Sequence, residues 1–131
     1  ADIGWFEEML EYFPKDVPVL ILTDKLDWVK SQKLFEQDRF LLSEDREYSD
    51  NLVWNGRGKM EYTLSPWIDL CLMSLCNGGI VANSSMSWWA AWLQSSPDKK
   101  IITQDPWFGS KHAHLDTKDI RPSSWIVESF S

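Results

Sequence analysis

The stretch from Ile80 to Trp92 constrains the fold of this chain more than any other segment. Three apolar residues, Ile80-Val81-Ala82, are followed by Asn83-Ser84-Ser85-Met86-Ser87 and then by Trp88-Trp89-Ala90-Ala91-Trp92. The apolar run has the length of a short buried strand, while serine and asparagine favour turns and helix N-caps over helix interiors. The pattern therefore predicts a strand, a ligand-binding loop and a helix that begins near Ser87.

The predicted helix start has the composition of an anion site. A helix that begins there directs its free backbone N–H groups, with several hydroxyl groups beside them, at whatever lies above the end of the strand. The alternative is that Ser84, Ser85 and Ser87 only cap the helix while the tryptophans fill a core. Capping accounts for one serine but not for the cluster, so we predict a phosphate-binding loop.

Elsewhere, apolar runs of strand length alternate with helical patterns. The expected strands are residues 19–23, 40–42, 80–82 and 101–103. The expected helices are residues 4–13, a second helix that Asp24 could cap and that carries Leu26 to Phe35, and residues 67–76, for which Ser65-Pro66 supplies the N-cap and a first-turn proline. Residues 43–60 are polar and predict an exposed loop. The alternation predicts an α/β fold, a short parallel sheet with helices on both faces, and one domain over residues 1–131.

Ligands of such sheets bind beyond the carboxyl ends of the strands. Three segments would lie on that edge, namely Thr23-Asp24, Asn83 to Ser87 and Gln104-Asp105-Pro106-Trp107. The residues best suited to chemistry are therefore expected to lie close together.

Charge and composition exclude several classes of protein. The net charge of −7 argues against nucleic-acid binding, which normally requires a basic surface. No apolar run has the length of a membrane span and the first residues lack a secretory pattern, which favours a soluble protein in a reducing compartment such as the cytoplasm. Cys71 and Cys76 lie five residues apart, a spacing that predicts free, buried thiols.

A metal site is not expected. His112, His114 and Asp116 are close in sequence, but no fourth ligand accompanies them. They predict a surface segment.

Two segments carry a resemblance to a known family. The first is residues 65–76, with the sequence Ser-Pro-Trp-Ile-Asp-Leu-Cys-Leu-Met-Ser-Leu-Cys. The second is residues 80–93, with the sequence Ile-Val-Ala-Asn-Ser-Ser-Met-Ser-Trp-Trp-Ala-Ala-Trp-Leu. Two further pairs of segments support the resemblance. They are Leu22-Thr23-Asp24 with Asp27-Trp28-Val29-Lys30, and Lys99-Lys100-Ile101-Ile102 with Pro106-Trp107-Phe108. Together they resemble the carboxyl-terminal region of the alpha-1,2-fucosyltransferases, glycosyltransferase family eleven, over roughly residues 5–126.

The resemblance implies a Rossmann-like half of a two-domain, GT-B-like glycosyltransferase, the half that binds the donor GDP-fucose. In that reading Ser84, Ser85 and the backbone of Met86 face the diphosphate, in a donor loop that runs from Asn83 to Ser87. No cofactor and no metal are implied beside the donor, and a glycan acceptor, a galactoside, would bind through a further domain.

Two aspartates are candidates for the rest of the nucleotide. Asp69 is implied as the contact to guanine, because a carboxylate accepts two N–H bonds from that base. The alternative is a first-turn carboxylate favoured by the helix dipole. Asp24 is a candidate for the ribose or the base, and plain helix capping is its alternative.

The chain departs from the family in one respect. Family members carry a His-x-Arg-Arg-Gly-Asp-type motif whose arginine is thought to hold the donor phosphate, and no His-x-Arg occurs in these 131 residues. The resemblance therefore implies a fragment or truncated homologue with little or no transferase activity by itself. Its catalytic residues are not identified. The alternative is a non-catalytic nucleotide- or sugar-binding module, and exposed Trp or Leu side chains could drive self-association.

Overall fold

The chain divides into two compact units. A computed structural model describes residues 2–23, 25–42, 52–54, 60–62 and 66–129. The larger unit combines Ala1–Phe13 with Leu70–Ser131, and the smaller unit is Pro14–Asp69.

A three-stranded parallel sheet forms the centre of the larger unit. Its strands are β5 (Gly78–Val81), β6 (Lys100–Asp105) and β7 (Ile126–Ser129), in the order β5-β6-β7. Val81 pairs with Thr103, and Asp105 pairs with Ser129. The central strand β6 therefore extends two residues past the end of β5 at the carboxyl edge.

Helices pack on both faces of this sheet. On one face, Ile102 packs with Trp5 and Met9 of helix α1 (Ile3–Leu10). Successive residues of a strand point to opposite faces. On the other face, accordingly, Ile101 packs with Ala91 of helix α4 (Ser85–Trp92). The predicted α/β architecture, with helices on both faces of a parallel sheet, is confirmed.

Helix α1 begins one residue earlier and ends three residues earlier than predicted. The side chain of Asp2 accepts a hydrogen bond from the Trp5 N–H at 3.0 Å and so caps the helix. This cap places the helix start at Ile3. Beyond Leu10 the chain continues as turns through Phe13.

The smaller unit contains a second parallel pair. Strands β1 (Val19–Ile21) and β2 (Phe40–Leu42) form a two-stranded sheet. Between them lie α2 (Leu26–Lys30) and a 3-10 helix (Lys33–Glu36), where the sequence predicted one continuous helix.

Helix α2 ends at Lys30, and its C-cap Ser31 accounts for that difference. The Ser31 hydroxyl donates to the Trp28 carbonyl at 2.6 Å, a local bond that competes with helix continuation. Lys25 occupies the N-cap position of α2. Asp24, the predicted cap, lies outside the described residues.

The segment predicted as an exposed loop contains strand structure. Strand β3 (Leu52–Trp54) pairs antiparallel with β4 (Met60–Tyr62). Residues 43–51 and 55–59 lie outside the described part of the chain.

Helix α3 (Pro66–Ser74) begins at the proline that was predicted to occupy its first turn. The two cysteines near its end are free, as predicted, but Cys71 is exposed and Cys76 is half-buried. The prediction of buried thiols is therefore wrong for Cys71, and Cys76 is buried only in part. Among the described residues, no helix has both the length and the apolar character that crossing a membrane requires.

Candidate functional site

A serine turn joins strand β5 to helix α4. The backbone of Ser84 is extended, and its hydroxyl accepts a hydrogen bond from the Ser87 N–H at 3.4 Å. The Ser84 N–H donates to the Ala82 carbonyl at 2.7 Å, which closes the turn. Because Ser84 is the N-cap, α4 begins at Ser85, two residues before the predicted start at Ser87.

The turn leaves donor groups at the carboxyl edge of the sheet. Ser87 and Trp88 direct their N–H groups to Ser84, whereas the N–H groups of Ser85 and Met86 have no acceptor among the described residues. Ser85 and Asn83 are exposed, and the other three residues of the turn are half-buried. Two N–H groups and an exposed hydroxyl at a helix N-terminus form an arrangement that favours an anion.

An ion pair lies at the same edge of the larger unit. Asp105 ends the central strand β6, and its Oδ1 atom accepts from Nη2 of Arg121 at 2.8 Å. The same Nη2 donates to the Gln104 carbonyl at 3.3 Å, and the Ser129 hydroxyl donates to Oδ2 of Asp105 at 3.4 Å. Sequence reasoning had placed Asp105 on this edge but had missed Arg121, which no local motif distinguishes.

The segment that carries Arg121 is attached to α4. The indole N–H of Trp88 donates to the Ile120 carbonyl at 2.7 Å. The Trp88 ring also stacks on Trp92 at 5.5 Å and contacts Trp125 at 5.8 Å between ring centroids. The first turn of α4 and the residue that precedes Arg121 are therefore held together.

Asp69 and Asp24 are the two other predicted contacts of the nucleotide. Asp69 lies in the first turn of α3, is buried, and belongs to the smaller unit. A carboxylate there is favoured by the helix dipole, the alternative given above. Asp24 lies outside the described residues, and its neighbour Thr23 accepts at its hydroxyl from the Lys25 N–H at 2.9 Å. Both roles stay predictions.

The residues considered as metal ligands are on the surface. His112, His114 and Asp116 are all exposed, in agreement with the predicted surface segment. Across the described ranges, no group of three or more His, Cys, Asp or Glu side chains could hold a metal ion.

Known proteins match this chain over most of its length. The family model described as Glycosyl transferase family 11 matches residues 1–129. The O-antigen biosynthesis glycosyltransferase WbnK of Escherichia coli is 34% identical over 98 residues, which cover 70% of this chain and 30% of that protein. The alpha-1,2-colitosyltransferase of Escherichia coli is 28% identical over 106 residues, or 81% of this chain and 31% of that protein.

The chain therefore spans less than a third of the length of these curated relatives. No solved structure matches it. The family match covers nearly every residue, including the serine turn and the carboxyl edge of the larger sheet. The chain belongs to glycosyl transferase family 11.

Proposed function

We propose that this chain is the donor-binding part of a glycosyltransferase of the alpha-1,2-fucosyltransferase type, with GDP-fucose as its donor. The observation that supports the proposal is the serine turn at the carboxyl edge of a parallel sheet. The diphosphate would accept from the N–H groups of Ser85 and Met86 and from the Ser85 hydroxyl. The positive end of the α4 dipole adds a favourable interaction with the anion, so the proposal includes no metal.

The remaining contacts follow the resemblance. Asn83 and Ser87 would complete the donor loop, Asp69 would accept from guanine, and Asp24 would contact the ribose or the base. A galactoside acceptor would bind through a part of the protein outside these 131 residues. The printed name of one relative specifies a colitosyl group, so the identity of the sugar needs its own test.

The first test is calorimetric titration of the purified chain with GDP, with ADP and GMP for comparison. We expect saturable binding that prefers GDP, because the base and the second phosphate both contribute. Ser85→Ala removes one hydroxyl donor and is expected to weaken GDP about 5-fold, the equivalent of one hydrogen bond of about 1 kcal/mol. Ser95→Ala, at an exposed serine beyond the other end of α4, is the matched control. Absence of binding at millimolar GDP would contradict the proposal.

The base contact has a separate test. Asp69→Asn keeps the size of the buried side chain but replaces one acceptor oxygen with an amide donor. We expect this variant to lose its preference for GDP over ADP. An unchanged preference would assign Asp69 to helix stabilisation alone.

The sugar is tested by comparing GDP-fucose with GDP-mannose. We expect GDP-fucose to bind more tightly than GDP-mannose if the site recognises the transferred group. Equal affinities would restrict recognition in this chain to the nucleotide.

The second candidate is a non-catalytic nucleotide- or sugar-binding module. These 131 residues contain no His-x-Arg, so they would not supply the positive charge of that arginine to the departing diphosphate. Binding of GDP by the chain, with no transfer after it is combined with the remaining parts of a family 11 enzyme, would support the module.

A further inference from the structure

We propose that Asp105 is a hydroxyl-binding group of the donor site and that Arg121 is its positioning residue. The Asp105 carboxylate would accept hydrogen bonds from hydroxyl groups on a sugar ring of the donor, either the ribose or the transferred sugar. This inference rests on the proposed function, because it assigns a further contact in the same nucleotide-sugar site.

The sheet register places Asp105 beside the serine turn. Val81, the last residue of β5, pairs with Thr103. Asp105 lies two residues beyond this pair on β6, and the serine turn follows the end of β5. Neighbouring strands lie about 4.8 Å apart, so Asp105 occupies the edge from which α4 starts.

Side-chain alternation places Asp105 on the α4 side of the sheet. Residues Ile101, Thr103 and Asp105 share one face of β6, because side chains alternate along a strand. Ile101 on that face packs with Ala91 of α4. The carboxylate and the N-terminus of α4 are therefore on the same side of the same sheet edge.

The open part of the ion pair is the carboxylate. The Arg121 side chain is 20% exposed and that of Asp105 is 45% exposed. Oδ1 of Asp105 accepts from the guanidinium at 2.8 Å, whereas the one partner of Oδ2 within the described ranges is the Ser129 hydroxyl at 3.4 Å. A carboxylate oxygen accepts hydrogen bonds and cannot donate them when ionised, so it suits hydroxyl groups and not phosphate oxygens.

Arg121 is held in place by groups other than the carboxylate. Its Nη2 atom also donates to the Gln104 carbonyl, and the preceding residue is bonded to Trp88. Its Nε atom is buried without a hydrogen-bond partner among the described residues. This burial has a free-energy cost, which a charge-assisted bond to the carboxylate offsets.

The guanidinium also has an electrostatic effect on the proposed site. An unpaired carboxylate at this edge would repel a diphosphate bound at the N-terminus of α4, and partial burial would leave that repulsion poorly screened. The pair of Asp105 and Arg121 has no net charge, and Oδ2 of Asp105 still accepts hydrogen bonds. The arrangement therefore allows a hydroxyl-binding carboxylate to lie next to an anion site.

The matched control is another aspartate paired with a base. Asp116 and Lys118 lie 3.9 Å apart with side chains 69% and 75% exposed. Such an exposed pair contributes little to stability. Asp116→Asn therefore makes the same chemical change as Asp105→Asn outside the proposed site.

The test measures Kd by calorimetry for GDP, 2′,3′-dideoxy-GDP and GDP-fucose with the full chain. If Asp105 binds the ribose, Asp105→Asn weakens GDP about 10-fold relative to dideoxy-GDP, the expected loss of one charge-assisted bond. If it binds the transferred sugar, the variant weakens GDP-fucose relative to GDP by a similar factor. Arg121→Gln is expected to weaken all three ligands, because it leaves the carboxylate unpaired beside the diphosphate, with the larger loss for the ligands whose hydroxyl groups Asp105 binds, and Asp116→Asn is expected to change nothing.

The other outcomes contradict the inference. An equal loss of affinity for all three ligands in Asp105→Asn, accompanied by a lower Tm, would show that the pair of Asp105 and Arg121 has only a structural role. Unchanged affinities in Asp105→Asn would remove it from the site. If the unaltered chain binds none of the ligands, the proposed function fails and this inference fails with it.

Discussion

At the residue scale, Ser84 defines the start of α4 and with it the geometry of the proposed phosphate site. Its hydroxyl satisfies the Ser87 N–H and leaves those of Ser85 and Met86 available. Ser84 thus binds the N–H group of Ser87 within the fold, and the N–H groups of Ser85 and Met86 are the ones that a ligand could bind.

Ser84→Ala removes this cap. We expect the free energy of unfolding to fall by about 0.5–1 kcal/mol, the low end of the range for lost N-caps because the bond is long. Urea denaturation of the variant beside Ser95→Ala, which removes an exposed hydroxyl away from the cap, measures the difference. Equal stability of the two variants would show that Ser84 does not cap the helix in solution.

Lys99 closes the other end of α4. Its ammonium group donates to three carbonyl oxygens, those of Ala91 at 3.0 Å, Trp92 at 3.2 Å and Gln94 at 3.0 Å. A cation at a helix C-terminus also interacts favourably with the helix dipole. We expect Lys99→Met to lower the free energy of unfolding by about 1–2 kcal/mol.

The control for that change is Lys111→Met, at an exposed lysine on the surface segment. Thermal unfolding of both variants is the measurement. A loss for Lys99→Met no larger than that for Lys111→Met would mean that water replaces the three bonds at no cost.

Tyr12 makes a pH-dependent contribution to the stability of the fold. Its hydroxyl donates to the Glu128 carboxylate, and this bond, with burial and the negative charge of Glu128 as smaller causes, raises the pKa of Tyr12 above its ordinary 10.0. Because the folded pKa is raised, the stabilisation is fully present below pH 10 and is lost as the pH rises through the folded value.

Glu128→Gln is expected to lower the pKa of Tyr12 toward its ordinary value. Titration of the phenolate absorbance measures this shift, and Tyr12→Phe identifies the absorbance that belongs to Tyr12. In the unaltered chain, stability should decline more steeply above pH 10 than in Tyr12→Phe. Superimposable stability profiles would contradict the assignment.

At the scale of elements, the pairing of β5 with β6 depends on a close approach at Gly78. A Cβ atom added there would lie 2.9 Å from the Lys100 carbonyl oxygen, which belongs to the backbone of the neighbouring strand. The strand cannot move aside without losing its ladder hydrogen bonds. The first residue of β5 therefore requires a glycine for steric reasons.

Gly78→Ala is expected to lower Tm by several degrees, the equivalent of about 1–3 kcal/mol for overpacking in a small domain. Gly109→Ala is the matched control, because a Cβ there meets nothing within 4 Å. Calorimetry or circular dichroism on heating measures both. A Gly78→Ala variant as stable as Gly109→Ala would show that the two strands separate without cost.

Most elements of the larger unit were predictable because their signals are local. The apolar period of α1, the proline at the start of α3 and the serines before α4 each act within a few residues. The end of α2 depends on the hydrogen bond of the Ser31 side chain. Strand β7 is half-buried, and its partner β6 is distant in sequence. Propensity does not encode either feature.

At the scale of the whole molecule, the chain is a small part of what its relatives contain. It spans 30–31% of their length and contains no His-x-Arg. The donor site proposed for the larger unit is only one requirement of a transfer reaction, which also needs an acceptor site and positive charge at the departing diphosphate.

We therefore expect the purified chain alone to transfer no fucose from GDP-fucose to a galactoside such as lactose. Chromatography of labelled products after prolonged incubation is the measurement, with a complete family 11 enzyme as the positive control. Detectable transfer would show that the acceptor site and the missing positive charge are supplied by these 131 residues.

The sequence by itself determined the class of fold, the family and the serine turn. These follow from patterns of neighbouring residues, such as apolar runs, caps and a continuous family signature, and short-range interactions suffice to produce them. Asn83 to Ser87 were identified this way, although the helix start was two residues late.

Only the tertiary structure decided which distant side chains meet at the sheet edge. Arg121 reaches Asp105 across 16 residues, and Trp88 reaches Ile120 across 32. Such contacts depend on the order and register of the strands and on the packing of α4 against the sheet. They arise from the folded topology, which no local pattern in the chain specifies.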